Sequence, residues 1–206
     1  NGIEYLEIPV AYDGLSVIIN PANDWVDYLT VDELRLIWQP GSTVDSWDDI
    51  RPEWPARPIR LYGPGTDSGT FDYFTEAVNG ESGVSRPDYT ASEDDNVLVQ
   101  GISGDESSLG FFGYAYYVAN KDRLKLVPID GGAGPIAPND QSIKDGSYSP
   151  LSRPIFIYVN KSGAAKPQVR NFVEFYLQTA PELVTTGRAA CRGGGCGASG
   201  MVRGRR

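Results

Sequence analysis

The sequence predicts an α/β fold, and three observations predict it. Strand-type and helix-type segments interleave along the 206 residues. Residues 59–79 read as a short strand, a glycine-rich loop and a helix, the order used where ligands bind at the carboxyl edge of such a sheet. The longest apolar runs, Leu15–Ile19 and Ile155–Val159, are strand-length. They fall far short of the ~18 apolar residues of a membrane-spanning helix.

The elements follow in order. Residues 8–19 alternate and then turn wholly apolar, which predicts a strand entering a buried sheet. Thr30 and Glu33 form a capping box, and Val31, Leu34, Ile37 and Trp38 give the following helix its apolar face. Residues 39–58, rich in Pro, Trp and Asp, read as loop. Ile59–Tyr62 is a short strand. A helix starts near Ser68, with Phe71, Phe74, Ala77 and Val78 on one face and Asn79-Gly80 closing it. Ser92–Val99 reads as a second helix whose acidic first turn suits the dipole. Leu109–Tyr117, Leu124–Ile129 and Ile155–Val159 read as strands, with a Gly- and Pro-rich loop over residues 131–150. Pro167 opens a helix through Leu177, and Pro181 opens another.

Composition excludes several functions. No histidine is present, so histidine catalysis and histidine metal sites are absent. Net charge is −9; residues 188–206 hold five Arg and no acid, so residues 1–187 carry 13 basic and 27 acidic side chains, a net of −14. A body this acidic argues against nucleic acid, which requires phosphate-neutralising cations. It does not exclude a small anion held by local N–H and O–H dipoles.

Leu61–Phe74 is the segment that carries chemistry. A loop rich in glycine and hydroxyls runs straight into a helix, whose first-turn amides lack intrahelical acceptors and whose dipole favours negative charge. Gly69 lets the backbone approach a ligand closely, and Ser68 and Thr70 add hydroxyl donors. An ordinary capped helix after a turn is the competing reading. A phosphohydrolase or phosphotransferase with Ser68 or Thr70 as nucleophile is another. That chemistry wants a base, a metal cluster or a lysine beside the phosphate. The loop has no Lys, and only carboxylates such as Asp67 and Asp72 lie close in sequence.

With four further segments, this stretch resembles the PstS-like periplasmic phosphate-binding proteins of ABC transporters. The segments are Ile8–Pro21, Asp88–Gly101, Leu109–Tyr117 and Arg153–Lys161, and the resemblance covers residues 3 to 187. It implies a type II periplasmic-binding-protein-like fold: a two-lobed clamp, here lacking much of the first lobe. It also implies that the chain begins inside that lobe, whose anion loops and phosphate-selecting carboxylate precede it. The implied function is phosphate binding for delivery to the permease subunits of an ABC transporter. The expected protein is a monomer, periplasmic or cell-surface, without catalytic residues, cofactor or metal. A binding protein for another oxyanion, such as sulfate, remains open.

The resemblance places phosphate contacts at Ser68, Gly69 and Thr70. Asp67 either caps the helix or accepts a proton from protonated phosphate. The arginine that many members carry four residues before the serine is Pro64 here, which makes Arg86 the candidate substitute for its bidentate fork. Arg60, on the preceding strand, is the other. Tyr12-Asp13-Gly14 is either a hinge or a strand bulge. The aromatic run Phe111–Tyr117 and the tryptophans Trp25, Trp38, Trp47 and Trp54 are core rather than a ligand surface, and Glu93-Asp94-Asp95 is a helix start rather than a metal cluster.

After Thr186 the pattern breaks. Residues 188–206 show no periodicity and read as out-of-frame translation or a disordered basic tail, leaving residues 1–187 as the folded domain. Cys191 and Cys196 are expected to form neither a structural bridge nor a metal site, for which two more ligands would be needed.

Overall fold

The computed structural model describes residues 2–190 and 201–203. β1 (Tyr5–Ile19) is the backbone of the architecture. Its later residues are buried on both sides, as expected of a strand covered on two faces. The two-residue strand β2 (Leu29–Thr30) leads into α1 (Val31–Trp38), and the capping box is present, with Thr30 Oγ1 accepting from the Glu33 amide at 3.1 Å. After a loop holding one 3-10 turn at Trp47–Asp49 come β3 (Arg60–Gly63) and α2 (Gly69–Asn79). Gly80, at φ 83, ends α2 in the left-handed conformation that glycine adopts without steric cost.

The next elements are β4 (Thr90–Ala91), α3 (Asp95–Gly104), β5 (Ser108–Gly113) and α4 (Tyr114–Asn120). β5 runs antiparallel to β1, β3 runs parallel to β5, and β4 parallel to β3. Alternation sorts the two faces. Val17 and Ile19 of β1 with Leu109 and Phe111 of β5 face α1 and α2; Ile18 and Phe112 face α3. The first face is aromatic: Phe74 of α2 stacks on Phe111 at 3.7 Å, and Trp38 meets Phe74, Tyr89 and Phe111 edge-on. The tryptophans pack as expected, Trp25 and Trp54 each edge-on to the buried Trp47. Arg51 lies over Tyr28 and Trp54 while pairing with Glu33 at 2.6 Å.

Beyond α4, β6 (Lys125–Leu126) pairs with β1, whereas β7 (Ile129–Asp130) pairs with β2 and with β8 (Pro135–Ile136). The short helix α5 (Asp140–Lys144) is capped by Asn139. β9 (Ser152–Asn160) pairs antiparallel with residues Tyr5–Gly14 of β1. It is followed by α6 (Lys161–Ala164) and α7 (Pro167–Ala190). β10 (Met201–Arg203) pairs antiparallel with Ala11–Asp13 of β1. β1 therefore changes partners at Gly14 and Leu15, from β9 to β5. The register shift on β1 lies at Pro9–Ala11, so Tyr12-Asp13-Gly14 marks the handover rather than a bulge.

Four expectations are corrected. The strand over Leu109–Tyr117 ends at Gly113, and the remaining aromatics are helical: Tyr114 and Tyr117 sit one turn apart with rings 6.1 Å from each other. Apolar runs this short carry no period that separates strand from helix. Leu124–Ile129 is two short strands in different sheets, divided at Pro128, which has no amide for a ladder. The second helix starts at Asp95, capped by the Asp94 side chain, and runs on through Gly101; a side chain there would collide with the Tyr62 ring. Finally, α7 is one helix through Pro181, which costs it one N–H donor without ending it. Residues 188–190 and 201–203 thus have regular backbone, whereas the tail expectation for residues 191–200 and 204–206, cysteines included, lies outside the described residues.

Candidate functional site

β3 carries the loop to the site. It lies between β4 and β5, so its carboxyl end opens where the parallel strands end. The loop Pro64–Ser68 is fastened from both sides. Tyr89 Oη donates to the Pro64 carbonyl at 2.8 Å, the Ser92 amide to the Gly63 carbonyl at 3.1 Å, and the Ser68 amide to the Gly65 carbonyl at 3.1 Å. Burial, with Glu93 nearby, raises the Tyr89 phenol above its ordinary range, so it remains a donor.

Ser68 is the N-cap of α2. Its Oγ accepts from the Thr70 amide at 3.2 Å, which leaves the hydroxyl proton for an outside acceptor. Gly69 is exposed, and a Cβ built there would meet nothing within 4 Å. Ser68, Gly69 and Thr70 thus form the positive end of an eleven-residue helix, with open space beside Gly69. That helix is locked to the sheet by Phe71 and Phe74.

The other two candidates differ in place. Asp67 is exposed and stands one residue outside the cap, because Ser68 takes that role. Arg86 is buried and committed. Its guanidinium holds Asp88 through two bonds of 2.6 and 2.7 Å and donates to the carbonyls of Val44 at 2.8 Å and Ile37 at 3.2 Å. The hydrogen bond with Asp88 raises Arg86 above its ordinary value and holds Asp88 below the usual carboxylate range. Arg86 precedes Thr90, and Thr90 pairs in parallel with Tyr62. It thus lies at the amino end of the strands, opposite the loop, and the expectation that its fork joins the loop is corrected. With Arg60, Asp45 and Asp88 it lines a cavity of about 310 Å³ at that opposite end.

The sequence pattern gave Glu93 only a place in a helix start and gave Arg153 no role. The Glu93 carboxylate rests against Gly65, so that a side chain at Gly65 would collide with it. Behind it, burial and the neighbouring Asp94 and Glu93 push Asp95 up to about 6. Arg153 of β9 stacks on Tyr73 of α2, 3.8 Å from the ring centroid, and reaches Asp13 of β1 at 3.5 Å. Both contacts join residues far apart in sequence, so no local pattern announces them.

A model of the PBP superfamily domain matches residues 1–179. The chain belongs to the PBP superfamily. This PBP-superfamily chain is 50% identical over 188 residues to Protein SphX of Synechocystis sp., covering 90% of this chain and 56% of SphX. It is 36% identical over 179 residues to the phosphate-binding protein PstS of Staphylococcus saprophyticus, covering 86% of this chain and 54% of PstS. The chain spans about half the length of these relatives. Among solved structures, the "possible phosphate binding protein" of Planctomyces limnophilus superposes with a TM-score of 0.85 at 46% identity, covering 90% of this chain and 66% of that one. An ABC-type phosphate transport receptor of Vibrio cholerae shares the fold, with a TM-score of 0.72 at 21% identity, covering 88% of this chain and 70% of that one. The mixed α/β architecture of this PBP-superfamily chain is that of phosphate-binding protein structures.

Proposed function

We propose that this chain is the larger part of a substrate-binding protein that holds inorganic phosphate and delivers it to the permease subunits of an ABC transporter. The observation that carries the proposal is the placement of Ser68, Gly69 and Thr70 at the N terminus of α2, with open space beside Gly69. The relatives named phosphate-binding proteins support phosphate as the ligand. Such a protein works outside the cytoplasmic membrane, in the periplasm or at the cell surface, as a monomer.

The proposal is for binding rather than catalysis. Ser68 Oγ is engaged by an amide donor, and no lysine or carboxylate bonds to it among the described residues, so nothing there removes its proton. Glu93 bears on the choice of oxyanion. A carboxylate beside the loop accepts a hydrogen bond from an oxyanion that still carries a proton and repels one that does not. Phosphate is protonated near neutral pH and sulfate is not. Calorimetric titration of the full-length protein with phosphate and with sulfate is the test. Tight phosphate binding with weak sulfate binding is expected. Preference for sulfate, or turnover of a phosphate ester by the same sample, would replace the proposal.

A further inference from the structure

The hydrophobic core ends where β1 changes partners. Leu15, Val17 and Ile19 of β1 belong to it, and so does Leu151 just before β9, but none of residues 2–11 or 152–180 does. The β1–β9 ribbon therefore stands outside the packed body, and a unit with few buried apolar contacts opens more easily than the core it joins. The chain crosses the boundary at Gly14, where any side chain would collide with Ile143 of α5. Glycine is also the residue with the widest range of torsions.

A charged pair sits at this boundary. Asp13 and Arg153 are cross-strand partners one residue before the handover, with Arg153 Nη2 donating to Asp13 Oδ2 at 3.5 Å. Asp13 is fully buried. Burying a carboxylate is a costly way to gain stability, since desolvation offsets most of the attraction; such a pair serves better to single out one arrangement. The arginine has a second contact, outside the ribbon. Its guanidinium lies over the Tyr73 ring, 3.8 Å from the centroid, and Tyr73 belongs to α2 and to the core. The Tyr73 hydroxyl donates to the Pro150 carbonyl at 2.8 Å, two residues before β9 begins. One side chain of the ribbon is thus held by β1 within the ribbon and by a ring of the body beyond it.

We infer that Arg153, Asp13 and Tyr73 form a latch that holds the β1–β9 ribbon at one angle to the sheet. The hinge is Gly14, the ion pair fixes the arginine in the ribbon, and the face of Tyr73 is its catch on the body. The latch needs no ligand, and its failure would leave the proposed phosphate site as it stands, although it closes on the helix that begins at that site. The competing account is that Arg153 only neutralises Asp13 inside the ribbon.

The test is amide hydrogen exchange, followed by NMR on the 206-residue chain, in residues 5–12 and 155–160 of the ribbon and residues 15–19 and 109–113 of the body. Removing the ring by Tyr73→Leu should speed ribbon exchange about 3- to 30-fold relative to the body, the range of a cation–π contact. Tyr73→Phe, which keeps a ring under the guanidinium, should recover most of the protection. Phe71→Leu removes a ring of the same helix that stacks on Tyr89 instead, and should leave the ribbon unchanged relative to the body. Arg153→Gln alone strands a buried carboxylate, so it is combined with Asp13→Asn. That double variant should open the ribbon as Tyr73→Leu does, and adding Tyr73→Leu to it should open it little further. Under the competing account Tyr73→Leu leaves ribbon protection relative to the body as it was, and that result overturns the latch. So does a Tyr73→Phe variant as open as Tyr73→Leu, which would make the Pro150 bond the fastening.

Discussion

Replacing Ser68 with alanine separates the two roles that its hydroxyl plays. As N-cap, Oγ accepts from the Thr70 amide at 3.2 Å. Losing a serine cap costs about 1 kcal/mol. For a folded body approaching 200 residues that is a fall of roughly 2–4 °C in melting temperature. As a proposed ligand, the same hydroxyl donates to a charged acceptor. Losing that bond costs about 1.5–3 kcal/mol, or roughly 10- to 150-fold in the dissociation constant. Ser68→Asn is the control, since its side-chain oxygen can still cap the helix while the donor is displaced. The full-length variants would be followed by thermal unfolding and by calorimetric titration with phosphate. Ser68→Ala should lose both stability and affinity, and Ser68→Asn affinity alone. An alanine variant that melts early yet binds phosphate as before would reduce Ser68 to a cap and remove its hydroxyl from the site.

Arg86→Met should behave in the opposite way. It strands the buried carbonyls of Ile37 and Val44, costing about 2–4 kcal/mol, while phosphate affinity stays within about twofold; a large loss of affinity at unchanged stability would return Arg86 to the site. Asp95 titrates near 6 in the folded protein, above the ordinary 3.8, so the folded state holds its proton more tightly than the unfolded chain does. Its contribution favours folding below pH ~4 and turns into a penalty as pH rises through 6. Asp95→Asn should therefore raise the melting temperature at pH 7.5 and leave it little changed at pH 4; an equal shift at both would refute the assignment. Glu93→Gln should narrow the preference for phosphate over sulfate several-fold in competition titrations, chiefly by improving sulfate binding, since the repelling carboxylate beside Gly65 is gone.

What could be read in the sequence was local. The capping box of Thr30 and Glu33, the helix start near Ser68 and the Gly80 stop each depend on residues within one helical turn, and all three stand where the pattern puts them, although Ser68 rather than Asp67 is the cap. The candidate anion loop was legible for the same reason: hydroxyls and glycine at a helix start are a short-range signal. Where it failed, the deciding contact was remote. Arg86 looked like a free fork, but carbonyls more than forty residues away claim it. Arg153, two residues before the apolar run Ile155–Val159, carried no local signal, and the register between β1 and β9 brings it to Asp13, beside the Tyr73 ring. The Leu109–Tyr117 run failed differently: aromatic residues suit a pleated strand and a buried helix face equally well, and tertiary packing decided between them at Gly113.

The packing behind the site bears on how it can work. Hydroxyls and amides bind an oxyanion well only if they are already aimed, because ordering them on binding would consume the energy of the new bonds. α2 meets that condition through rings. Phe74 stacks on Phe111 of β5, Trp38 of α1 closes both edge-on, and Tyr89 stacks beside Phe71 while its hydroxyl holds the Pro64 carbonyl. The helix start is thereby tied to the sheet and to the loop at once. α2 is tied to the neighbouring ribbon as well, since Arg153 of β9 lies over the Tyr73 ring and pairs with Asp13 just before the handover on β1.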